Sequence, residues 1–385
     1  MNKYSYDLYF ATPAFLGGAD QKAEIRVPPF KALLRYWWRI VVAPDHSYDV
    51  EKIRRREGLI FGKVAGKSSE ISSKSQIRLW ISESSKAATS VGRPAVAWDA
   101  GVISRFESEW EKKVGGGRGI DGTSYLGYGA FSKPLELSTN RSALGPVLPA
   151  EVNRSSRTSP HMWDAQVVQF NIAFSRNLSE GDRDSLFNAL AVMSEFGSVG
   201  SRAKNGFGSF TLFDPALRQP LTVDAPVFKK ICRGVSEGIN DMWPNSIATD
   251  VNGPQIWEFK SSFRYWNEAF YQYATLKKSL YASDVVRDRQ LDAGRAQYRD
   301  LLAMAGNSVL GSRRWPTQLA FKLKLENEPN VARGMIYHVA ASPTKTPISN
   351  QVEAQVRAWG EIAAFLDQQP HLERNNKSGG GQNAR

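Results

Sequence analysis

Along residues 4–214 the hydrophobic pattern switches between period 2 and period 3.6 in one particular order, and that order restricts the possible folds more than any other feature. YSYDLYFA (4–11) alternates as a strand does, and TPAFLGGA (12–19) breaks it into a loop. Pro28 and Pro29 suit the start of a helix, which loses no hydrogen bond to proline there, and the helix is predicted to run to about Ala43. SQIRLWIS (75–82) reads as a strand, a long loop-dominated insertion follows, and AQVVQFNIAF (165–174) is strand-like again. From Gly181 the apolar residues Leu186, Leu190 and Met193 fall at near-helical spacing until Gly197, and SFTLF (209–213) closes the series as a strand. Strand, helix, strand, strand, helix, strand is the β-α-β-β-α-β order of a ferredoxin-like domain, a fold that also serves RNA recognition motifs.

A chain of 385 residues is too long for one ordinary core, so two domains are expected. The first is drawn over 1–215, and Pro215 and Pro220 make a linker. The second, over 216–370, reads as helical at 225–240, 260–280 and 285–304, strand-like at 318–325 and 334–340, and helical again at 349–367. The polar, glycine-rich stretch 371–385 is expected to be disordered. The class is α+β with helical and loop insertions.

Lys and Arg number 50 against 38 Asp and Glu, a formal charge of +12, which calls for a polyanionic neighbour. Nucleic acid comes first. A membrane surface comes second, because basic membrane binders concentrate charge on one helix or tail and here it is spread along the chain. Cys232 is the single cysteine, which excludes an internal disulfide framework and suits a reducing compartment. With no signal peptide and no apolar run of spanning length, a cytoplasmic protein is expected.

Two segments carry candidate binding residues. On the first helix Phe30, Leu33, Leu34, Trp37 and Val41 share one face, while Lys31, Arg35 and Arg39 lie on the adjacent face with Trp38 among them. Cations beside an aromatic plane suit single-stranded nucleic acid. The competing reading is a solvated helix face. In GSVGSRAKNGFGSF (197–210), Arg202 and Lys204 can neutralise phosphate, while Gly206 and Gly208 permit close backbone approach. It matches neither a Walker motif nor a dinucleotide fingerprint, and a plain helix-to-strand turn is the alternative. Arg54 and Arg55 within KIRRR (52–56), Arg154 and Arg157 in a polar loop, and Arg313 and Arg314 beside Trp315 complete the set.

TPAFLGGA (12–19), EIRVPPFKALLRYWWR (24–39) and the loop 200–210 together resemble the RAMP superfamily of CRISPR proteins, and within it the first-subunit family of type III-B Cmr effector complexes. SYLGYG (124–129) and GSRRWP (311–316) are weaker echoes, and GGGRG (115–119) matches no family pattern. The resemblance implies two ferredoxin-like RAMP domains and a role capping one end of a helical complex near the guide RNA 3′ end. Its implied partners are CRISPR guide RNA, target RNA as a further candidate, and the other Cmr subunits. Arg26, Lys31, Arg35 and Arg39 match the family's basic helix region, and Arg202, Lys204, Gly206 and Gly208 its glycine-rich loop.

Catalysis has little support in the sequence. His46, His161, His338 and His371 show no metal-ligand spacing, and Asp20 has no partner carboxylate at a pairing distance along the chain. No cofactor is expected. Metal-independent RNA cleavage needs only a general base and an acid, and His46 is the residue that a RAMP-type endoribonuclease, the alternative function, would use.

Overall fold

In the computed structural model the described residues are 1–16, 24–63, 72–83, 122–126, 131–133, 136–137, 168–241, 243–287, 289–290, 298–302, 317–327, 331–341 and 351–375. The first half contains β1 (Asn2–Phe10), α1 (Val27–Val42), α2 (Val50–Phe61), β2 (Ile77–Glu83), β3 (Val168–Phe174), α3 (Glu180–Phe196), β4 (Phe210–Asp214) and β5 (Gln219–Pro220). Its sheet runs β2-β3-β1-β4-β5 with every pairing antiparallel. A β-α-β-β-α-β chain in this strand order is the ferredoxin-like fold read from the sequence.

Period-2 alternation builds the core. Tyr6, Leu8 and Phe10 of β1 and Phe170, Ile172 and Phe174 of β3 are buried together with Leu34 and Trp37 of α1 and Leu190 and Met193 of α3. Ser179 caps α3 by accepting from the Asp182 backbone N–H, and Gly197 follows its end.

The second half repeats the plan. β6 (Cys232–Gly234), β7 (Ser246–Asp250) and β8 (Gly253–Pro254) precede β9 (Ile256–Phe263), α4 (Trp266–Ala282), β10 (Leu319–Leu325), β11 (Ala332–Ala340), α5 (Val352–Asp367) and β12 (Leu372–Arg374). β10, β11, β9 and β12 pair in that order, all antiparallel, which is the same arrangement of four strands. The structure corrects three sequence expectations. The first strand, Ile256–Phe263, replaces the start of the helix read from 260. The helical stretch 225–240 is two short helices around β6. The tail drawn from 371 begins too early, because Leu372–Arg374 closes the sheet on β9.

The halves meet along β10. Its Phe321, Leu323 and Leu325 pack on the helices of the second half. Its outer edge is covered from the first half: Phe321 N–H donates to Lys204 O at 3.0 Å, Leu323 N–H to Ser209 Oγ at 3.2 Å and Leu325 N–H to Thr211 Oγ1 at 3.3 Å. Lys322, fully buried on the other face of β10, donates to Ser194 O, and Tyr337 OH donates to Phe196 O. Both carbonyls belong to the last turn of α3, where helix carbonyls lack internal partners and a cation suits the dipole. Burial holds the Lys322 pKa well below its ordinary value.

Candidate nucleic-acid interface

The basic stripe of α1 faces α2. Lys31, Arg35 and Arg39 recur every four residues and so line one side of the helix. Opposite them α2 presents Glu57, buried at 4% exposure. Arg35 Nε donates to Glu57 Oε1 at 2.6 Å, and Arg39 donates through Nε to Oε2 at 2.9 Å and through Nη2 to Oε1 at 2.6 Å. Lys31 Nζ donates to Phe61 O at 3.2 Å, at the end of α2. Burial alone would raise the Glu57 pKa; the hydrogen bonds and charges of Arg39 and Arg35 outweigh it and hold the carboxyl below its ordinary value. The stripe is therefore a staple between two helices. Arg35 still leaves 40% of its side chain exposed and Arg39 24%.

Trp38 corrects the sequence reading. Its side chain is fully buried, its Nε1 donates to Ser185 Oγ on α3 at 2.9 Å, and its ring meets Phe61 edge-on. It offers no plane to a ligand. Two aromatic rings lie beside these cations: Arg35 is over Phe61 at 5.8 Å, and Arg39 at 5.1 Å and Arg54 at 5.6 Å are over Trp243. Arg54 and Arg55 are exposed on α2, whereas Arg56 is tied to Asp182 at 2.7 Å. Arg26, the residue just before α1, is also exposed.

The glycine-rich loop is locked onto the TPAF segment. Thr12 Oγ1 donates to Gly206 O at 2.7 Å and accepts from Ser209 N–H at 3.0 Å, while Gly208 N–H donates to Pro13 O at 2.7 Å. Gly200, Gly206 and Gly208 all have positive φ. A Cβ on Gly206 would sit 2.6 Å from Phe321, and one on Gly208 would overlap the Val199 carbonyl. These glycines close the backbone against protein and not against a ligand, which corrects the expectation of an open phosphate cradle. Arg202, at φ 62° on the turn, is exposed. Lys204 is half-buried over the Tyr337 ring at 5.7 Å, and burial pulls its ammonium down to about 8.

Arg154, Arg157, Arg313, Arg314 and the 115–119 stretch lie outside the described residues. Among the described residues no group of three or more His, Cys, Asp and Glu could hold a metal ion. His338 is fully buried, stacked on Trp359, with burial lowering its pKa to about 3, so it stays neutral inside the core.

Two ferredoxin-like halves, joined where a glycine-rich loop follows α3, define a tandem ferredoxin-like protein with a basic helical surface. A family model of the RAMP superfamily matches residues 7–211, more than half of the chain, and the chain belongs to that superfamily. Among solved structures it is similar to Cmr1 from Pyrococcus furiosus in its apo form, at 13% identity over 97% of this chain and 98% of that one, with a TM-score of 0.46. It is also similar to a chain of the type III-B Cmr-beta complex bound to cognate target RNA and AMPPnP in the presence of ssDNA, at 12% identity over 94% and 98%, with a TM-score of 0.45. No curated protein matches. Among the described residues no helix is long and apolar enough to cross a membrane.

Proposed function

We propose that this protein is an RNA-binding subunit of a type III-B CRISPR effector complex, holding guide RNA near its 3′ end at one end of the assembly and cutting no RNA itself. The superfamily membership of residues 7–211 supports an RNA role, and the motif resemblance of 12–19, 24–39 and 200–210 supports the type III-B assembly. The observation that carries the reading is the set of exposed cations Arg26, Arg54, Arg55 and Arg202 on elements inside the family match. Phosphate contacts of this kind recognise any sequence, as a subunit that accepts many guides requires.

Arg55→Ala and Arg26→Ala are each expected to weaken binding of unrelated single-stranded RNAs alike and to lower the salt slope by about 0.7. Incubation of the same RNAs with the pure protein is expected to leave them whole. Unchanged slopes in both variants would remove the phosphate contacts, and discrete products lost on His46→Ala would replace the reading with an endoribonuclease.

A further inference from the structure

Trp243 sits where no helix or strand requires it, in the segment before β7, yet it meets α1 and α2 of the other half. The residue packs against the core that α1 and α3 share and is only partly buried. The segment is anchored, since Asn245 Nδ2 donates to Tyr36 OH at 3.3 Å. The two guanidinium groups over the indole differ in how firmly they are held. Arg39 is gripped through two of its nitrogens by the buried Glu57. Arg54 is 63% exposed, and among the described residues its ion pair is with Glu51, itself 71% exposed, at 3.2 Å. An ion pair so open contributes little, so Arg54 can yield the ring to another π-system or stack beyond it. A fixed aromatic plane next to one fixed and one movable arginine, with exposed Arg55 following Arg54 in α2, has the chemistry of a stacking position for single-stranded nucleic acid.

Resting on the RNA-binding reading above, we infer that Trp243 stacks on an unpaired base of the bound RNA, with Arg54 and Arg55 holding the flanking phosphates. Stacking reads any base's π-face and so adds affinity without adding sequence preference. A helix-packing role alone would not call for a tryptophan left partly open between two guanidinium groups.

The test is an abasic scan. Single-stranded RNA of fixed length, carrying one abasic nucleotide at each position in turn, is titrated against the full chain, Trp243→Leu and Trp243→Phe at one salt concentration. In the unsubstituted protein one position is expected to lose about tenfold in affinity, and Trp243→Leu to lose about the same with intact RNA. The abasic penalty is expected to vanish in Trp243→Leu and to survive in Trp243→Phe. A scan with no sensitive position in the unsubstituted protein overturns the inference without the need for any variant. So does an abasic penalty that persists in Trp243→Leu, or an RNA affinity that Trp243→Leu leaves unchanged while association with partner proteins falls, which makes the indole a protein contact. Failure of the unsubstituted chain to bind any RNA instead removes the proposed function itself.

Discussion

Gly208→Val is expected to prevent stable folding, at a cost of more than about 4 kcal/mol, a size that single substitutions reach only through a specific structural fault. Two faults coincide here. The residue stands at φ +67°, which a β-branched side chain adopts only under strain, and any Cβ collides with the Val199 carbonyl. Neither neighbour can step aside. Gly208 N–H is bonded to Pro13 O and Gly208 O accepts from Val199 N–H, so moving the loop breaks the seam with the TPAF segment. Gly208→Ala is expected to be nearly as damaging, because the clash begins at Cβ. Gly181→Ala, a position in α3 with nothing within 4 Å of the added atom, is expected to be neutral or slightly stabilising. Urea titration followed by circular dichroism separates the three. If Gly208→Val unfolds like the unsubstituted protein and loses only RNA affinity, the loop is an open phosphate cradle after all.

Glu57→Gln is expected to cost about 2 kcal/mol at neutral pH. Breaking a buried ion pair costs about 3–5 kcal/mol, and the partial exposure of Arg35 and Arg39 reduces that because water can take over part of their solvation. The sign with pH follows from the depressed carboxyl. Its folded pKa lies below its unfolded value of about 4.3, so the stabilisation is fully present above the unfolded pKa and disappears as pH falls through the folded one. The urea midpoints of Glu57→Gln and the unsubstituted protein should therefore draw together as pH falls below about 4.3. A gap that stays constant from pH 7 to pH 3 would mean that packing, and not charge, makes Glu57 matter.

How far the sequence discloses this molecule depends on the range of the interaction involved. The β-α-β-β-α-β order of the first half is legible because each element carries its own period, as in Phe170, Ile172 and Phe174 on alternate residues of β3. In the second half β9 escapes because its pairing with β11 shifts register between Glu258 and Ser262 and α4 starts three residues after it ends, which blurs the alternation into a helical pattern. The stripe Lys31, Arg35 and Arg39 is visible on a helical wheel, but its partner is not. Glu57 lies in a separate helix amid arginines, and its only local sign is that it is acidic in a basic run. A wheel also cannot tell how wide an arc is covered. α1 packs against both α2 and α3, so the buried arc extends to Trp38. Trp243 has no local signal at all, since what marks it is the approach of two arginines from elements some 200 residues earlier.

The seam along β10 bears on how the protein moves. Tandem domains ordinarily swing about a linker, because little crosses between them. Here alternate backbone N–H groups of β10 end on Lys204, Ser209 and Thr211, and the core around α1 and α3 takes in Tyr337 and Met335 from β11. Parting the halves would strand three buried donors and open an apolar face in the same step. Hinge motion and separate melting are thereby suppressed: the chain is expected to unfold in one cooperative transition, with its basic surface and second sheet held in a fixed relative orientation.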